Sequence, residues 1–357
     1  MKLKALLLSA SLLISMTSCG YDSNQQTTIE TASSESSEAF LAPPEVPDHV
    51  PLINSMTDVE KRKTDYRKLS LLDSSTISDP NLYLSKWSLI TYDITSIQEN
   101  IKELVIYDEE LDTNFLVHTV LPPNYDPTVT YPVFFITDAV WRLGEVPALF
   151  NAVKNGEASP VIFVSLGFDY DVNGASDDVR KNIFVVEQEK TLNFITDNLM
   201  PYLSERYLID FENSTFFGHS AGGMFSHYAL CMSDQYRNQP FGKYIIASPT
   251  FWGYYNIHDA DPSAVPDPEE YLNEFGYFER NEKMDKQVFL YAGALEDIDY
   301  ETSFNGHPST TKGLDMLYER LNTHGVKVSE KMYTTHHYQY ITSMLREYQK
   351  QEYSSLR

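Results

Sequence analysis

Cysteine is nearly missing from this chain, with only Cys19 and Cys231 among 357 residues. A disulfide-stapled scaffold is therefore excluded, and so is a thiolate-rich metal site. Basic residues are scarce as well, 27 Lys plus Arg against 51 Asp plus Glu. A field of that sign repels nucleic-acid backbones and anionic surfaces, so nucleic acid is not expected as a partner. Glycine and proline, at 15 and 18, are too few for a collagen-like or wholly disordered chain. There is no glycine loop followed by Lys-Ser/Thr to cradle a phosphate and no spaced His/Cys set to bind metal, so no cofactor is expected. What is present is a core: 42% of residues are hydrophobic and 13% aromatic. A body of this size buries roughly three quarters of its unfolded surface without help from metals or cross-links.

The first residues read as an address. Lys2 and Lys4 precede an apolar stretch over 5–16, and Met16-Thr17-Ser18-Cys19 is a small-residue processing site. The apolar run is short for a permanent membrane span. The segment resembles a bacterial lipoprotein signal. That resemblance implies loss of residues 1–18, a lipidated Cys19, membrane lipid as a partner and an extracytoplasmic, membrane-anchored chain. Cys231 is then the one free thiol, and its apolar helical surroundings predict inert burial. Residues 19–60 are rich in Ser, Thr, Gln and Glu, with Pro43, Pro44, Pro47 and Pro51 as stiffeners, and predict a tether. Residues 61–94 form an extension of open structure, including whether 58–69 is helical, and 95–350 the folded domain.

Within that domain, strands are predicted at 101–106 and 113–120 around a turn at 108–112. Short apolar runs at 133–136, 161–164, 215–217, 244–247 and 288–291 lack alternation, the mark of strands covered on both faces. A last strand is predicted at 327–332. Helical periods fall at 146–153, 187–202, 221–232 and 313–324. Strand and helix alternate, which predicts a mostly parallel central sheet with helices on both faces.

The strongest chemical signal is Gly218-His219-Ser220-Ala221-Gly222 between a strand and a helix. A serine at so sharp a turn stands exposed above the sheet, and the crowded chain needs small residues two before and two after it. Ser220 is the candidate nucleophile, and the Ala221 N–H a candidate oxyanion donor at the helix start. The loop after 133–136, Thr137-Asp138-Ala139-Val140-Trp141, offers the Ala139 N–H as a second donor. His219 and Trp141, beside these two loops, are candidate pocket residues.

Serine needs a base, and the base an orienting acid. His307, His324, His336 and His337 lie late enough in the chain. His324 sits in a helical period and predicts a structural role. His336 and His337 follow the last strand, with His336 taken as the base and His337 as the alternative. For the acid, Glu296 leads after the strand 288–291, with Asp297 and Asp299 as alternatives at the same strand end.

Several blocks occur together and in order: Leu121-Pro122-Pro123-Asn124-Tyr125, Phe135-Ile136-Thr137-Asp138, the Ser220 pentapeptide, Ile246-Ala247-Ser248-Pro249-Thr250-Phe251-Trp252, Gly293-Ala294-Leu295-Glu296 and Thr335-His336-His337-Tyr338. Through them the chain resembles the bacterial esterase family of α/β-hydrolases that includes S-formylglutathione hydrolases, feruloyl and acetyl-xylan esterases, enterochelin esterases and mycolyltransferases. The resemblance implies the α/β-hydrolase fold, Ser220 as nucleophile, Glu296 as acid, His336 as base and Trp252 beside the acyl or leaving-group pocket. It departs at Ala139, where the siderophore-esterase-like members tend to have glycine. The implied activity is a serine esterase acting on a small-molecule or glycan ester, with siderophore and carbohydrate esters as candidates. Acyl transfer by the same triad and a non-catalytic binding lipoprotein are the alternatives.

Overall fold

Strands that are apolar at every position need cover on both faces, and the computed structural model of the chain supplies it. Residues 64–65, 72–73, 83–84, 91–92, 95–168, 177–236, 240–251, 271–300 and 309–354 are described. Eight strands carry the sheet: β1 (Ile101–Asp108), β2 (Thr113–Val120), β3 (Val133–Ile136), β4 (Ile162–Phe168), β5 (Thr215–His219), β6 (Lys243–Ala247), β7 (Gln287–Gly293) and β8 (Lys327–Tyr333). Their spatial order is β1-β2-β4-β3-β5-β6-β7-β8. β2 runs antiparallel to β1 and β4, and every other neighbour along that path is parallel. Thr64–Asp65 and Leu72–Asp73 pair antiparallel with β1, so the described part of 58–69 is strand. Tyr83–Leu84 pairs separately with Thr91–Tyr92.

Successive side chains of a strand face opposite ways, and here they enter two different cores. Val133 and Phe135 join Phe216, Tyr244 and Ile246 on one face. Phe134 and Ile136 join Phe217, Ile245 and Ala247 on the other. The first core is closed by Leu192, Leu199 and Leu203, by Met224 and Phe225, and by Leu314, Leu317 and Leu321 from the helix Thr310–Thr323. Leu149 and Phe150 close the second, with Ile341, Met344, Leu345 and Tyr348 of the helix Ile341–Glu352. Each such side chain contributes about 1.5–3 kcal/mol by leaving water.

Two helical segments differ from the sequence expectation. Residues 187–202 do not form one regular helix: a π-type turn, Phe194–Leu199, intervenes before the short helix Met200–Ser204. Pro201 at the start of that helix lacks an N–H and crowds the preceding turn, which favours a widened ladder there. The helix Ile341–Glu352 was not singled out from its sequence, although its apolar residues lie three and four apart.

The parallel strands β3, β5, β6, β7 and β8 all point the same way. Thr137–Ala139, Ser220, Ser248, Glu296 and His337 therefore follow their carboxyl ends and gather on one edge of the sheet, where open α/β sheets bind ligands.

Candidate active site

Ser220 stands between β5 and the helix Ala221–Cys231 with φ 61° and ψ −121°, a conformation few L-residues adopt. The surroundings hold it there. Its N–H donates to the Ala247 carbonyl at 3.0 Å, and its carbonyl accepts from the Met224 N–H at 3.1 Å. A Cβ on Gly218 would lie 1.8 Å from the Gly222 carbonyl oxygen, so glycine is required two residues before the serine. Strain that is over-determined by its neighbours is typical of functional turns.

Glu296 is fully buried and opens the short helix Glu296–Tyr300 just after β7. Its Oε1 accepts from the Ser248 hydroxyl at 2.5 Å and from the Gly293 N–H at 2.7 Å. Its Oε2 lies 2.7 Å from Nδ1 of His337. A carboxylate only accepts, so Nδ1 carries a proton, and in the neutral ring Nε2 is the nitrogen with the lone pair. Ser248 has one proton and gives it to Glu296, so in its 2.5 Å contact with Tyr340 the phenol is the donor, sharing its proton with the Tyr291 carbonyl at 3.3 Å. Burial, reinforced by the Glu296 charge, pushes the Tyr340 phenol up and keeps it a donor.

The imidazole that meets the carboxylate is thus His337, one residue later than the expected His336. The reason is local. The Leu295 N–H donates to the Thr335 carbonyl, and the Ala294 N–H to Tyr333. This stitching presses the backbone of 335–336 onto Gly293, where a Cβ would sit 2.4 Å from the Thr335 oxygen and 2.6 Å from that of His336. The following turn brings His337 over Glu296, while the His336 N–H approaches Gln339 Oε1 at 3.4 Å. Asp297, an alternative acid by sequence, caps the next helix instead: it accepts from Ser309 and from the N–H and hydroxyl of Thr311. The side chain of Asp299 lies outside the described residues.

His219 is buried. It is 3% exposed, directly before Ser220, and its ring centroid is 4.5 Å from that of His337. Both of its nitrogens are engaged, Nδ1 with Arg142 Nη2 at 3.3 Å and Nε2 with the His337 carbonyl at 2.7 Å. Burial, with Arg142 and His337 adding to it, drives its pKa well below the ordinary histidine range.

Ala139 opens a short helix, Ala139–Arg142, rather than lying in a loop. Asp138 before it has φ 60° and is clamped by Arg180, whose Nε and Nη2 each donate to a carboxylate oxygen at 2.8 Å. The Thr137 N–H donates to the Phe217 carbonyl at 3.0 Å, tying this turn to the strand that carries Ser220. Ala139 and Ala221 each begin a helix, where backbone N–H groups favour developing negative charge. Trp141 is 41% exposed on the first of these helices. Trp252, Cys19 and His307 lie outside the described residues. His324 stacks on Phe278 at 3.7 Å. Cys231 is fully buried, its Sγ 3.4 Å from His227 Nε2, and burial raises its thiol well above the usual range.

Sequence reasoning missed Ser248, Tyr340 and the Asp138–Arg180 clamp. Ser248 carried a usable signal, since it directly follows the strand Lys243–Ala247 beside the elbow strand. The clamp joins residues 42 apart and leaves no local pattern.

The profile of the family described as "Putative esterase" matches residues 109–350. No curated protein matches the sequence. Among solved structures the chain is similar to the BES protein from Bacillus cereus, with 22% identity over 77% of this chain and 99% of that one and a TM-score of 0.55. It is also similar to a siderophore hydrolase, EstA, from Aspergillus nidulans, with 16% identity, 72% and 95% covered and a TM-score of 0.55. A ferulic acid esterase shares 17% identity, with 71% and 97% covered and a TM-score of 0.51. These likenesses concern the fold, and the family match covers most of the chain. The chain has the α/β-hydrolase fold, belongs to this esterase family and is a carboxylic ester hydrolase.

Proposed function

We propose that the chain is a serine esterase in which Ser220 is the nucleophile, His337 the general base and Glu296 the orienting acid. The observation that carries this is the 2.7 Å contact between His337 Nδ1 and a fully buried Glu296, beside a serine held at positive φ. His337 Nε2 takes the Ser220 proton as Oγ attacks the ester carbonyl. The N–H groups of Ala221 and Ala139 receive the oxyanion, and Glu296 stabilises the imidazolium. His337 then protonates the departing alcohol, leaving an acyl-enzyme on Ser220. Water, deprotonated by His337, attacks it and releases the acid.

The substrate class we favour is a siderophore or carbohydrate ester met outside the cytoplasm. Support comes from the fold shared with a siderophore hydrolase and a ferulic acid esterase, and from the signal-like segment before Cys19. Lipidation of Cys19 would hold the domain at the membrane by its tether. The test is the purified chain and Ser220→Ala on p-nitrophenyl esters of graded length, feruloyl and acetyl sugars, and a trilactone siderophore. Ser220→Ala should lose on the order of 10³-fold or more in kcat at unchanged melting temperature. Parental turnover in the variant overturns the assignment.

A further inference from the structure

Three loops must agree for acyl transfer at this site: the turn carrying Ala139, the elbow carrying Ser220 and the turn carrying His337. One buried side chain touches all three. His219 belongs to the elbow, its Nδ1 meets Arg142 of the helix begun by Ala139, and its Nε2 meets the backbone oxygen of His337.

The partners fix its tautomer. A guanidinium has donors only, so Nδ1 is the acceptor of the Arg142 bond. The proton therefore resides on Nε2, where it is donated to the His337 carbonyl at 2.7 Å. Arg142 is itself placed by Glu145, whose Oε1 lies 3.6 Å from Nη1 and whose Oε2 accepts from Thr342 at 2.6 Å. The chain Thr342–Glu145–Arg142–His219–His337 runs from the C-terminal helix to the base. We infer that His219 is a positioning residue: as the neutral Nε2–H tautomer selected by Arg142, it holds the His337 backbone so that the imidazole faces Ser220. This rests on the Ser220–His337–Glu296 reading above.

The same arrangement has an electrostatic consequence. Burial and the neighbouring Arg142 keep His219 uncharged in the folded protein. No second imidazolium then stands 4.5 Å from His337 when that residue takes the serine proton. The packing of the two rings also restricts the swing of His337 about its own backbone.

Three variants of the full chain test the inference, each checked for folding by circular dichroism and melting temperature. His219→Phe keeps an aromatic ring but removes both polar bonds. A misplacement of the base by about 1 Å costs roughly 10²-fold, so kcat should fall by that order with KM within about threefold. His219→Gln restores the pattern, because its amide oxygen can accept from Arg142 and its NH2 can donate to His337; kcat should return to within about tenfold of the parent. Arg142→Met leaves His219 in place but frees its tautomer, and kcat should drop about tenfold. Fluorophosphonate labelling of the parent at Ser220 is the control for the catalytic reading: no adduct there sinks that reading, whatever the variants do. With the adduct present, the positioning role is overturned if folded His219→Phe keeps parental kcat, or if His219→Gln is no better than His219→Phe. Should His219→Phe fail to fold, parental kcat in Arg142→Met overturns it instead.

Discussion

Replacing Glu296 by glutamine changes one atom type and should nearly silence the enzyme, for a reason visible in the hydrogen bonds. Glu296 Oε1 accepts from the Ser248 hydroxyl at 2.5 Å and the Gly293 N–H at 2.7 Å. The Gly293 N–H cannot turn into an acceptor, so the amide oxygen of Glu296→Gln must take the Oε1 position. Its NH2 is then forced toward His337 Nδ1, which now has to accept. The ring proton moves to Nε2, and no lone pair remains to take the Ser220 proton. An imidazole locked in the wrong tautomer lowers kcat by about 10⁴-fold in a comparable triad, equivalent to about 5 kcal/mol at the barrier. The fold should survive, since two of the three hydrogen bonds on this side chain persist. The assay is kcat and KM on one good ester, with melting temperature as the structural control. A folded Glu296→Gln enzyme within tenfold of parental kcat would refute the argument from tautomer and, with it, the role given to Glu296.

Three further expectations follow from other parts of the molecule. Gly293→Ala would set a Cβ against the carbonyl oxygens of Thr335 and His336 at 2.4 and 2.6 Å; a loss of about 1–3 kcal/mol in urea unfolding, with a more than tenfold fall in kcat, is expected, and a neutral effect would contradict the stitched loop. Burial, reinforced by Asp315, raises the Glu330 carboxyl to about 7, so the folded chain holds a proton that the unfolded chain sheds near its ordinary value of about 4.5. Stability should therefore decline between about pH 4.5 and 7, and Glu330→Gln should flatten that decline in thermal unfolding; parallel curves for the two proteins would show that the shift is absent. Cys19→Ser should abolish incorporation of a clickable fatty acid while leaving esterase activity intact, and equal incorporation in both proteins would remove the anchor.

The central sheet was legible because runs such as 133–136 and 244–247 are apolar at every position and feed two cores at once, and no amphipathic element mimics that. The elbow was legible because crowding leaves a local trace, as at Gly218. What stayed hidden depends on long-range geometry. Adjacent His336 and His337 have identical chemistry, and only the stitching of Thr335 onto Leu295 decides which of them meets Glu296. Asp297 and Glu296 are neighbours too, and their separate duties appear only once the helix Thr310–Thr323 is seen to need a cap. The single helical period assigned to 187–202 overlooked what Pro201 does to the turn before it.

The most direct test of the central claim is the rate and site of fluorophosphonate phosphonylation in the parent, His336→Ala and His337→Ala proteins, read by intact mass and peptide mapping. The account predicts one adduct, on Ser220, formed at near-parental rate in His336→Ala and slowed on the order of 10³-fold in His337→Ala. An adduct on another residue, or a slow His336→Ala beside a fast His337→Ala, would contradict it.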